Sequence, residues 1–124
     1  MTTPTTPRET AETAAEAIRA LNHHTRPGIA QVDVTEIYDL LAELTMLAGR
    51  LPQLLGQLEE LVDDLVEHGH VAIAEGDQHG DPVAAAAICG HWLATGRAAA
   101  DQLAHALEAA QQTLTWAAPT RASS

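Results

Sequence analysis

Three rows of apolar residues, each with a spacing of seven, run side by side through residues 37–65, and they leave the chain few ways to fold. Ile37, Leu44, Leu51, Leu58 and Leu65 make the first row. Leu40, Leu47, Leu54 and Leu61 make the second, and Leu41, Ala48, Leu55 and Val62 the third. Seven residues are close to two helical turns, so each row is a line along one helix, at heptad positions a, d and e. Two such lines make the seam of a coiled-coil dimer. A third widens the stripe beyond what one neighbour covers, so the pattern predicts a long helix buried against two others. Leu40, Leu44, Leu47, Leu51, Leu54, Leu58, Leu61 and Leu65 are the predicted interface positions.

The composition fits helices throughout. There are 25 Ala and 15 Leu, no Phe, one Tyr and two Trp. Ala and Leu head the helix-propensity ranking, and the aromatic and β-branched residues that favour strands are scarce. The fold class is therefore all-α, and 124 residues suit a single domain.

Local signals divide the chain. Residues 1–6 read as a disordered tail, and Thr6, Pro7 and Glu9 supply a capping hydroxyl, a first-turn proline and an acid three residues after the cap. A short first helix follows over about 7–23, with Ala11, Ala14, Ile18 and Leu21 on one stripe and a stop at Pro27-Gly28. Asp33 caps the second helix, with Glu36 placed to complete a capping box and Val32 to staple onto Ile37. That helix is expected over 33–68, kinked but continuous at Pro52, which falls at a b position opposite the apolar stripe. Gly69 is its C-terminal glycine, and residues 69–81 form a Gly-punctuated connection. Asp81 and Pro82 open the third helix, expected over 82–118. Its stripe of Ala86, Cys89, Leu93, Gly96, Ala100, Leu103, Leu107, Ala110, Leu114 and Ala117 is mostly small. Residues 119–124 read as a second tail.

Two long helices of similar length and a short connection predict an antiparallel hairpin. With the first helix it forms a three-helix bundle over 7–118, or a four-helix-type or larger bundle if dimeric. The first helix is expected to cover part of the remaining groove, and a second copy or another protein the rest.

Charge narrows the partners. The net charge is −11 and all six basic residues are Arg. None falls between Arg50 and Arg97, where eight acids lie. Such a field disfavours nucleic acid and anionic membrane surfaces, and suits a basic protein surface or a cation. No apolar run approaches the ~20 residues of a membrane span, and the Thr- and Pro-rich start lacks the apolar segment of a signal peptide. With Cys89 as the single cysteine, a cytoplasmic location is expected.

Few residues suggest chemistry. His68, His70 and His79, together with Glu75, Asp77 and Asp81, have the donor types of a zinc or other divalent-metal site, although they fall in a Gly-rich connection. His23 and His24 suit a helix C-terminus, where imidazole interacts well with terminal carbonyls. Cys89 has His91 two residues on, and the turn of a helix points the pair apart, so a buried structural thiol is expected. The acid pairs Glu59/Asp63 and Glu60/Asp64 are expected on the outer surface of the second helix. No phosphate-binding glycine loop or nucleophile motif occurs, so no enzyme activity and no cofactor are expected.

The segments Ala20-Leu21-Asn22-His23, Asp33 to Leu44, and above all Arg50-Leu51-Pro52-Gln53-Leu54-Leu55-Gly56-Gln57-Leu58 resemble uncharacterised helical proteins of actinobacteria. The resemblance extends over most of the chain and implies no activity. In size and acidity the chain is also similar to the WXG100-type secreted helical hairpins. Those carry Trp-x-Gly in the turn, whereas Trp92 and Trp116 here lie within the third helix. The expectation is a non-enzymatic interaction or oligomerisation protein that forms a homodimer or docks another helical protein. A metal-binding bundle and a secreted hairpin are the alternatives.

Overall fold

A computed structural model describes residues 5–28, 31–76 and 78–120. The tail residues 1–4 and 121–124 lie outside the described set. The described residues form three helices and no strand: α1 (Pro7–His24), α2 (Val34–Glu67) and α3 (Pro82–Thr113). No helix is long and apolar enough to cross a membrane among the described residues.

All three starts follow from local chemistry. The Thr6 hydroxyl accepts the Glu9 N–H at 3.1 Å, Asp33 Oδ1 accepts the Glu36 N–H at 2.9 Å, and Asp81 Oδ1 accepts the Ala84 N–H at 3.0 Å. Each bond satisfies a donor the helix itself leaves free. At the other end of α2, Gly69 adopts φ +73°. The Gly69 N–H bonds Val66 O and the His70 N–H bonds Leu65 O, which together make a Schellman motif.

The end of α3 departs from expectation, stopping at Thr113 instead of 118. Leu114, Thr115 and Ala117 donate to carbonyls three residues back, so the last turn tightens. Pro119 then disfavours a helical conformation at Ala118.

The helices α2 and α3 are 34 and 32 residues long, about 50 Å each, and they pack as an antiparallel pair. A Cβ added at Gly96 would sit 3.4 Å from Leu55 Cδ1, and one added at Gly90 would sit 3.5 Å from Glu59 Oε1. Pairing 55 with 96 and 59 with 90 sets the direction.

Two expectations about this seam are corrected, the placing of Pro52 and that of Glu59. The hairpin closes chiefly through the third row of the stripe, with Leu41, Leu55 and Val62 half-buried and Ala48 fully buried, and through Tyr38, Thr45, Pro52 and Glu59 beside it. Pro52 is therefore not opposite the packed side; it is half-buried, seven residues before Glu59, and α2 runs through it unbroken. Glu59 is likewise not on the outer surface. Its carboxylate lies over Gly90 and pairs with Arg97 at 3.4 Å, while the Arg97 side chain runs over Gly56. Each charged side chain crosses the opposite helix where a glycine leaves room, which lets two thin helices approach closely.

The fully buried positions of the seam are small. Only Ala48, Ala86 and Ala100 are buried hydrophobics among the described residues, and no large side chain is fully buried.

The first helix covers less than expected. It has no buried residue, and none of its Cα atoms comes within 8 Å of one in α2 or α3. It runs along the outer edge of α2, with Leu21 facing Leu40, Leu44 and Leu47 across one cleft and Ala11 and Ala14 facing Leu54 and Leu58 across another.

Candidate interaction face

Helix geometry decides which side of the hairpin is apolar. Leu51 and Leu58 lie four residues before and three after Leu55, so they stand on the side where Leu55 meets Gly96. On α3, Trp92 and Leu103 lie four before and seven after Gly96, on that same side. Ile88, four before Trp92, continues the stripe. Glu59, Gly56, Gly90 and Arg97 mark the opposite, polar side. The two helices thus present one apolar face, two helices wide.

That face is open. Leu54 is 48% exposed, Leu61 56% and Leu65 47%. Leu47 and Leu58 are also exposed, while Leu40, Leu44 and Leu51 are half-buried. On α3, Trp92 is 65% exposed, and Ile88 and Leu103 are exposed. Burying a Leu fully is worth ~1.5–3 kcal/mol, so each half-covered Leu retains roughly 1 kcal/mol for a partner.

Every predicted interface leucine of α2 lies on this face or its edge. The α3 half was missed, because the sequence reading assigned Leu103 to the buried stripe and gave Trp92 no role. The spacing of Ile88, Trp92, Ala99 and Leu103 by four, seven and four was the available signal.

Charge is distributed unevenly around the face. Between them Glu36, Asp39, Glu43, Glu60, Asp64 and Glu67 occupy the outer edge of α2, with Arg50 in the middle. The charged residues of α3 are only Arg97, Asp101 and Glu108. One long edge of the hairpin is acidic and the other nearly neutral.

The histidines are not gathered. The His68 Nδ1–H donates to the Asp64 carbonyl at 2.7 Å, and the rings of His68 and His70 lie 6.4 Å apart. His79 is in the turn closed by the Gly80 N–H on the Ile73 carbonyl, and Asp77 lies outside the described residues. No three His, Cys, Asp or Glu side chains are close enough to hold one metal ion among the described residues. The His105 Nδ1–H donates to the Asp101 carbonyl one turn back. His23 and His24 stack edge to face at the end of α1. Cys89 is half-buried in the small-residue stripe of α3, and His91 is exposed.

No protein-family model matches the chain, and neither does any curated protein or solved structure.

Proposed function

We propose that the protein is a non-enzymatic helical interaction module that works by engaging a helix of another molecule on this apolar face. One observation carries the reading: among the described residues the chain buries only three alanines as hydrophobic core and leaves large side chains exposed on a face two helices wide, with α1 beside its α2 edge alone. Large contiguous apolar patches on folded chains mark interaction sites. The outer acidic edge would favour partners without their own acidic rim.

The test combines sizing-column light scattering with an apolar fluorescent dye. The wild-type chain is expected to associate or to light up the dye. The Leu54→Asp/Leu61→Asp double variant should lose both behaviours while keeping its helical circular dichroism. A wild-type chain that is monomeric and leaves the dye dark would overturn the reading.

A further inference from the structure

We infer that the occupant of the apolar face is a second copy of this chain, packed face to face so that α2 of each copy lies over α3 of the other. The inference rests on the interaction reading above and adds the identity and register of the partner.

Surface area is the first argument. The chain exposes 9906 Å², whereas a compact monomer of 13.1 kDa exposes about 6,400 Å². The residues outside the described set account for no more than ~1,700 Å² of the difference, even at the area of an extended chain. Roughly 1,800 Å² per chain remains, spread over α1, which has no buried residue, and the apolar face. It leaves room for the ~800 Å² per partner of a standard interface. A second layer of two helices supplies the large-side-chain core that the single chain lacks.

Charge chooses the arrangement. Placing α2 on the partner's α2 would set two acid-rich helices side by side. Placing α2 over α3 separates the acidic edges and sets Leu61 against a helix whose outer stripe is Ile88, Trp92, Ala99 and Leu103. A two-fold axis parallel to the helices produces this packing and makes the two halves of the interface equivalent. It also keeps residues at their own level along the axis. Within the hairpin Leu55 is level with Gly96, so Leu61 is level with the turn holding Trp92. Leu61 of one copy therefore meets the partner's Trp92.

Cross-linking reads this register. In a Cys89→Ala background, Leu61→Cys and Trp92→Cys chains are refolded separately and as a mixture, then treated with a short bismaleimide. The mixture is expected to give a linked dimer and each chain alone to give little. In a Trp116→Tyr chain, where Trp92 is the one tryptophan, emission should shift to the blue as concentration rises. Circular dichroism of every variant shows whether it folds. A Leu51→Cys chain that links efficiently to itself would replace this packing with α2 on α2. A dimer whose mixture fails to link would also overturn it. A monomer that still binds the apolar dye would overturn the second copy as occupant and leave the interaction reading standing. A monomer dark to the dye would end both.

Discussion

Replacing Gly49 by alanine should stabilise the protein, because α2 is one continuous helix through Pro52. Gly49 lies in the interior of that helix, without the positive φ of the loop glycines, and a Cβ there would meet nothing within 4 Å. Glycine in a helix interior costs ~0.8–1 kcal/mol relative to alanine, part of it through the freer unfolded chain. Nothing in the surroundings offsets that gain, and the residue lies off the apolar face, so association leaves it unchanged. For a chain of this length the gain corresponds to a rise of about 3–5 °C in Tm. The assay is thermal unfolding followed by circular dichroism, with both chains at one fixed concentration. Gly69→Ala is the matched control, since the space is equally open but φ is +73°. That substitution should lower stability by ~1–2 kcal/mol, the cost of a side chain in a left-handed conformation. If Gly49→Ala leaves Tm unchanged or lowers it, the helix is interrupted between Gly49 and Pro52 and the seam described above is wrong.

Three further experiments probe the hairpin. Pro52→Ala should raise stability by about 1–3 kcal/mol in urea unfolding, because the buried Ala48 carbonyl regains the donor that proline lacks. Asp33→Ala should cost ~1 kcal/mol in the same assay through loss of the α2 cap. A double-mutant cycle on Glu59→Gln and Arg97→Gln should return a coupling below about 1 kcal/mol, because both side chains keep contact with water at 29% and 41% exposure.

Helix starts were legible in the sequence because they are local: Thr6, Asp33 and Asp81 each act within three residues. The all-α class and the antiparallel pairing followed from composition and from two long apolar patterns. The seam was not legible, for a physical reason. Three rows with the same spacing compete for one neighbour, and periodicity alone does not rank them. The leucine rows look the stronger candidates, yet α3 packs on the row holding Ala48 because small residues on both helices allow close approach. Gly56, Gly90 and Gly96, placed inside helices at some cost in propensity, were the signal for where that approach occurs. The end of α3 was overestimated because the apolar pattern continues through Leu114 and Ala117 after the backbone has left the helix. The exposed leucines of α2 stood out by size and period, whereas Trp92 did not, because the stripe traced on α3 ran through Ala86, Cys89, Leu93 and Gly96 instead.

If the chain completes its core only by association, as proposed, its unfolding midpoint depends on protein concentration. Urea unfolding is measured at concentrations spanning two factors of ten. If folding and pairing are coupled, each tenfold increase adds ~1.4 kcal/mol to the apparent stability and the midpoint climbs accordingly. A midpoint that stays fixed across the whole range would contradict the claim, because the three-helix chain would then be stable with its apolar face in water.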